Sequence, residues 1–131
     1  MGPIRSELPP ITITTDDERR LSALAELNAS RFPRAALFLT RELYRANIVA
    51  DESSLHDIVR MGSRVKYRDN ITAHVREITL VYPDEAAINF NRISVLAPVG
   101  VALIGLSVGQ TIEFQTPTGG RRSLTVLGVS N

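Results

Sequence analysis

Cysteine and tryptophan are absent from this chain, and lysine occurs once, at Lys66, among fifteen basic residues. Without cysteine there is no disulfide framework, no thiolate metal site and no thiol nucleophile. Aromatic residues are scarce: Tyr44, Tyr67, Tyr82, Phe32, Phe38, Phe90 and Phe114 make up the whole supply. No apolar run approaches the roughly 20 residues of a membrane span. The opening MGPIRSELPP lacks the apolar core of a secretory signal, which points to the cytoplasm and away from membranes. Excess charge of either sign is missing too. A formal net charge of +1 is too small for a protein that grips nucleic acid through its phosphates, and no sequence-specific nucleic-acid binding is expected. Arginine presents a planar fork to carboxylates, so a protein partner with acidic grooves suits this surface; a codon bias toward Arg is the plainer explanation. There is no G-x-S-x-G elbow, no phosphate-binding G-x-x-x-x-G-K-[ST] loop and no dinucleotide fingerprint, so no enzyme and no cofactor is expected.

The most informative stretch is ISVLAPVGVALIGLSVG, residues 93–109. Proline suits the first turn of a helix, where its missing N–H would be unpaired in any case, and glycine suits the left-handed residue after the last turn. Pro98 to Ile104 therefore reads as a short helix closed by Gly105. It is apolar on every side and so must be enclosed. Strand patterns flank it at Ile93–Leu96 and Thr111–Phe114. Further strands are expected at Arg64–Arg68, which alternates basic with apolar, at Val75–Tyr82, and at Ser123–Val129, where Leu124, Val126 and (past Leu127) Val129 recur. Gly119-Gly120 supplies a turn between the last two strands. The predicted class is α+β, with antiparallel strands around a short helix.

Upstream, residues 1–10 read as a flexible N-terminus and Ile11-Thr12-Ile13 as a strand. Thr15 with Glu18 matches a capping box, so a helix should begin near Asp16. Its apolar positions are Leu21, Leu24, Ala25 and Leu27. Asn28 to Pro33 breaks the pattern, and Pro33 can open a second helix with a seam of Ala36, Leu39, Leu43 and Ala46. The two arms predict an antiparallel helical hairpin over 11–52, with the seam spacing of a coiled coil, followed by a second domain over 53–131. Arms of this size span about 20 Å and bury little, so the hairpin should lean on the rest of the chain.

Few residues carry the marks of chemistry. His56 and His74 have no metal-ligand spacing, and a loop or solvated role suffices for each. Asp16, Asp17 and Glu18 favour the positive end of a helix dipole. Asp84-Glu85 follows Pro83 as a solvated turn, or as an acidic pair for a cation or an Arg. No catalytic and no metal-binding residue is assigned.

Ile93-Ser94, Ala97-Pro98, Ala102-Leu103, Gly105, Val108-Gly109 and Thr116-Pro117-Thr118-Gly119 together resemble the C-terminal domain of the bacterial Gre transcript-cleavage factors. The segments HDIVRMGSRVKYRD at 56–69, REITLVYPDEA at 76–86 and SVLAPVGVALIGLSVG narrow the resemblance to an offshoot, the regulators of nucleoside diphosphate kinase (Rnk). The match is tight over 56–128 and loose over 11–50. It implies an FKBP-like fold for the second domain and bacterial RNA polymerase as partner. Docking would occur at the rim of the secondary channel through Ser94, Ala97, Pro98 and Val99. The Gre factors hold a second catalytic Mg²⁺ with two carboxylates at the tip of a long coiled coil, as a hard cation requires. Here the apex between Asn28 and Arg34 has no acid and carries Arg31 and Arg34. The resemblance thus implies a polymerase-binding regulator that competes with Gre factors without stimulating cleavage.

Two other readings stand beside it. An FKBP-like fold raises peptidyl-prolyl isomerase activity, although fold does not carry function and the aromatic supply for such a pocket is thin. A dimerising scaffold, with the hairpin seam pairing between chains, is the other.

Overall fold

A computed structural model of the chain describes residues 8–50, 55–116 and 118–131. The boundary expected at Asp51–Ser54, the first seven residues of the expected flexible terminus, and Pro117 of the Thr116–Gly119 turn lie outside the described residues.

The chain begins with β1 (Thr12–Thr14), α1 (Thr15–Asn28), α2 (Pro33–Arg45) and β2 (Asn47–Val49). The expected capping box of Thr15 and Glu18 does not form, and the N-cap lies one residue earlier. Thr14, still extended at φ −73° and ψ 154°, is the N-cap, and its hydroxyl accepts the Asp17 N–H at 3.1 Å. Thr14 pairs with Val49 in β1, so the chain stays extended through Thr14 and turns only at Thr15. Glu18 does not reach back; it accepts the Ser22 hydroxyl at 2.7 Å. β2 was not expected, and it joins β1 in a small parallel sheet that closes the base of the hairpin.

The helix seam differs from the sequence pattern at two positions. Leu21, Ala25, Ala36, Leu39 and Leu43 are buried, but Leu27 is 80% exposed on the far side of α1. Ala46 is not helical: its extended backbone, φ −74° and ψ 148°, ends α2. Pro33 opens α2 as its first residue. Leu21, Ala25, Leu39 and Leu43 belong to the same buried cluster as the sheet residues Val65, Tyr67, Ile112 and Leu124. The hairpin therefore shares its apolar face with the body. Short arms of this kind gain most of their stability from such packing.

The body holds β3 (Arg64–Asp69), β4 (Val75–Val81), β5 (Arg92–Ser94), α3 (Pro98–Leu103), β6 (Thr111–Gln115) and β7 (Arg121–Ser130). Their order in one sheet is β5-β4-β3-β7-β6. The β3–β4, β3–β7 and β6–β7 pairs are antiparallel. The β4–β5 pair is parallel, which corrects the expectation of antiparallel strands throughout. The chain crosses from the end of β4 through two tight turns at Pro83–Glu85 and Ile88–Phe90 before it re-enters alongside, so β5 runs the same way. Alternation puts Val65, Tyr67, Ile78, Leu80, Ile112, Leu124 and Val126 on the buried face. The break in the pattern at Leu127 is a β-bulge. Lys66 pairs with Gly128 and Tyr67 with Val126, leaving Leu127 as the extra residue.

α3 lies against this face with Gly100, Val101, Ala102 and Leu103 buried. Gly105 has φ +81°, and a β-carbon there would meet Ile11 at 2.9 Å. Its N–H goes to the Val59 carbonyl at 2.9 Å, and its own carbonyl accepts the Thr12 N–H at 3.0 Å. One glycine thus ends the helix and ties β1 to the body. Residues 8–10 are held as well. The Pro9 carbonyl accepts from Arg45, and the Pro10 carbonyl accepts from Gln110 at 3.0 Å.

Candidate functional site

Ser94 ends β5 and turns the chain into α3. Its hydroxyl oxygen accepts the Leu96 N–H at 3.0 Å, and its carbonyl accepts the Ala97 N–H at 3.0 Å. Ala97 is the N-cap, extended and without a side-chain bond to the helix; Pro98 fills the first position, where it removes one donor that would otherwise lack a partner. The Ala97 carbonyl accepts the first helical bond from Val101 at 2.9 Å. One turn later Gly100 passes over the Ser94 carbonyl too closely for any β-carbon. Ser94, Ala97, Pro98 and Gly100 are therefore one rigid folding unit, and its outer atoms stay reachable: Ser94, Ala97, Pro98 and Val99 are all half-buried.

Pro98 and Leu96 stand at one end of an open cleft of about 670 Å³ between α2 and β6. The Phe38 and Phe114 rings meet along it, with centroids 5.8 Å apart and planes tilted by 35°. Arg34 and Arg41, exposed on α2, line its other side. Of the two residues expected at the hairpin apex, Arg34 thus shares the cleft with Pro98. Arg31 stays in the turn, exposed, with its guanidinium 5.3 Å from the Phe32 ring centre.

The expected acid cluster is occupied by structural work. Asp16 pairs with Arg19 at 2.5 Å, and Asp17 accepts the Met61 N–H at 3.2 Å, which ties the start of α1 to the body. Asp84 and Glu85 are exposed on a short turn. His56 and His74 lie in exposed turns far from the cleft in sequence, and His74 uses its backbone to bond Asp69 and Thr72.

Three charged constellations were not legible beforehand. Glu42 is buried on α2 and takes two bonds from the Arg45 guanidinium, at 2.7 and 2.8 Å. The sequence signal is an acid three residues after Leu39 on the apolar face, with an Arg one turn on. Asp69 accepts from Arg122 at 3.0 Å and from the Ile71 and Thr72 N–H groups. Burial pushes its carboxyl up, but the Thr72 N–H, the Arg122 guanidinium and the Ile71 N–H outweigh it and hold the group below its ordinary value. The Arg20 guanidinium lies 4.6 Å from the Tyr82 ring centre, bridging α1 to the end of β4. Burial pushes the Tyr82 phenol up; Arg20 opposes this, while Asp17, Asp16 and Glu85 add to it.

Residues 54–131 match the family model for the C-terminal part of the transcription elongation factors GreA/GreB, and residues 9–49 match the model for the Rnk N-terminus. A "Regulator of nucleoside diphosphate kinase" from Escherichia coli K12 is 41% identical over 119 residues, covering 91% of this chain and 88% of that protein. A "Transcription elongation factor GreA" from Thermodesulfovibrio yellowstonii is 32% identical, covering 87% and 77%. The solved structure of a GreA/GreB elongation factor from Nitrosomonas europaea superposes with a TM-score of 0.71 at 37% identity, over 92% of this chain and 99% of that one. These relatives are named as regulators or transcription factors, not as enzymes.

Proposed function

The chain belongs to the Rnk and GreA/GreB family, and from that premise we propose that it is a non-catalytic regulator of transcription elongation that binds bacterial RNA polymerase at the rim of the secondary channel. The observation that carries this reading is the turn from Ser94 to Val99. It is locked by its own hydrogen bonds and by Gly100, yet half-exposed at the end of an open cleft. A preformed surface of this kind loses little entropy on binding.

The hairpin sets what the bound protein can do. Its arms have 14 and 13 residues, which is about 20 Å of helix at 1.5 Å per residue. A channel-spanning arm of roughly 30 residues would measure about 45 Å. The apex turn carries Arg31, with Arg34 close behind, and Glu26 is the nearest carboxylate. On this reading the hairpin, acting as a short coiled coil over 11–52, stops at the channel mouth. The body over 53–131, an FKBP-like unit, does the docking. The protein would then displace cleavage factors without supplying the carboxylates that a second Mg²⁺ needs. Its contacts are with protein rather than with a nucleic-acid sequence, and its compartment is the bacterial cytoplasm, where the polymerase works.

The test is the binding of purified chain to core RNA polymerase, read by fluorescence anisotropy. Wild type should bind, and Pro98→Arg should weaken binding about tenfold or more while its melting point stays near wild type. A folded Pro98→Arg protein with wild-type affinity would move the docking surface elsewhere. No binding by wild type would end the reading.

A further inference from the structure

We propose that the outer groove between α1 and α2 is a docking site for an amphipathic helix of a partner protein, one that carries arginine or lysine along one edge. The proposal goes beyond the polymerase reading, since this groove shares no residue with the Ser94–Val99 turn.

The groove encloses about 660 Å³, and every residue lining it comes from α1, α2 or the turn between them. Ala25, Ala36 and Leu43, all buried, form its floor. Leu37 and Tyr44 stand on the α2 wall, 49% and 93% exposed, so apolar side chains are left in water beside a fixed floor. A contiguous apolar patch rimmed by polar groups marks an interaction site, and the volume falls in the range of working ones.

Charge then selects the ligand. The charged side chains lining the groove are Glu18 and Glu26, both on α1. Glu18 accepts the Ser22 hydroxyl at 2.7 Å, and neither carboxylate has an ion pair among the described residues. The arginines of α2 do not balance them, because Arg34, Arg41 and Arg45 line the opposite cleft, against β6. The groove is thus apolar with one acidic wall, and its complement is apolar with one basic edge. Roughly two turns of α1, about 12 Å, separate the two carboxylates. A single cation cannot be shared over that distance, since its ligand oxygens must all lie within about 2.6 Å of it. Two bases placed two turns apart on a helix match it.

The helical form of the ligand follows from the walls. Both are α-helices whose backbone groups are paired along their own length, so neither offers the N–H and C=O groups that an extended strand needs. A helix satisfies its own backbone and brings only side chains to the groove. A second copy of the chain is the poorer fit. The bases that its α1 would bring are engaged already, Arg19 with Asp16 and Arg20 over the Tyr82 ring.

The experiment uses the full chain, labelled with ¹⁵N, and a synthetic helical peptide of Ala and Leu, with Leu along one stripe and two Arg about two turns apart beside it. Amide shifts should concentrate on α1 and α2, and binding should weaken as salt rises. Replacing both Arg by Glu, or placing proline at the centre of the peptide, should each cost about tenfold or more in affinity. Tyr44→Ser should do the same with an unchanged melting point, since the ring is exposed. Glu18→Lys with Glu26→Lys should reverse the preference and take the Glu peptide more tightly. Glu26→Lys alone, at an exposed position, should narrow it. Equal affinity of wild type for the Arg and Glu peptides, or for the proline peptide, would overturn the proposal. So would no binding of the Arg peptide up to about 1 mM. Shifts on α1 and α2 that follow protein concentration with no peptide added would assign the groove to a second copy, and would overturn it too. Pro98→Arg should leave the peptide affinity unchanged, so the two readings fail separately.

Discussion

The carbonyl oxygen of Ser94 stands 2.1 Å from the point where a β-carbon on Gly100 would lie. Nothing flexible can yield there, because both sides of the contact are backbone. The Ile-Ser and Ala-Pro positions that mark this segment in the sequence are thus joined, through Gly100, by one physical requirement, the close crossing of α3 over the end of β5. Gly100→Ala should lower stability by about 3 kcal/mol, a melting point lower by roughly 10 °C, or prevent folding. Gly128→Ala is the control. Its added methyl would meet only Lys66, at 4.0 Å, and should shift stability by less than about 1 kcal/mol.

Much of the fold could be read from the chain, for reasons that are local. Pro98 and Gly105 bracket α3 because one fixes the helical φ and the other takes the left-handed one. Arg64 to Arg68 alternates because β3 is covered on one face only. Even the skipped beat at Leu127 had a cause, the bulge in β7. Relations set at long range stayed hidden. Thr14 and Thr15 are equivalent as caps until β2 pairs with Thr14 and decides between them. The direction of β5 depends on its partner across the sheet, which its own residues do not encode. The cleft itself was not legible, since it forms between α2 and β6, which only the folded chain brings together.

The buried Glu42 depends on Arg45 for its charge to be tolerated. Arg45→Ala leaves that carboxylate without its two guanidinium bonds and releases the Pro9 carbonyl, so stability should fall by about 3 kcal/mol. Replacing both Glu42 and Arg45 by Leu should cost much less than the single change. Urea unfolding of Glu42→Leu, Arg45→Leu and the double variant gives the comparison, and full additivity of the two single losses would show that the pair is not coupled.

Asp69 makes the stability of the body sensitive to acid. Its carboxyl titrates lower in the folded chain than in the unfolded one, whose ordinary value is 3.8. The stabilisation is therefore present above 3.8 and is lost as pH falls through the lower folded value. The stability difference between wild type and Asp69→Asn should be constant from neutral pH down to about 5 and shrink below 3.8. A difference that instead grew in acid, in parallel unfolding curves, would mean the sign is wrong.

Charge at the hairpin apex and reach of the hairpin are separate requirements for cleavage. Arg31→Asp with Arg34→Glu repairs only the first. Ligand oxygens must lie about 2 Å from Mg²⁺, and under the proposed docking at the channel rim arms of 14 and 13 residues, about 20 Å long, stop short of it. The double variant should remain inactive in transcript cleavage, while its affinity for polymerase changes most at low salt. Robust cleavage by this variant would show that the hairpin reaches farther than its length allows.

The most direct test of the account is a competition on stalled elongation complexes. Purified chain is titrated against a fixed amount of a Gre factor, and released short RNA is measured. The account predicts no release by the chain alone and progressive suppression of Gre-dependent release, complete at saturation. Suppression should be weakened by Pro98→Arg to the same degree as polymerase binding. Cleavage stimulated by the chain alone, or undiminished Gre activity at saturating chain, would contradict it.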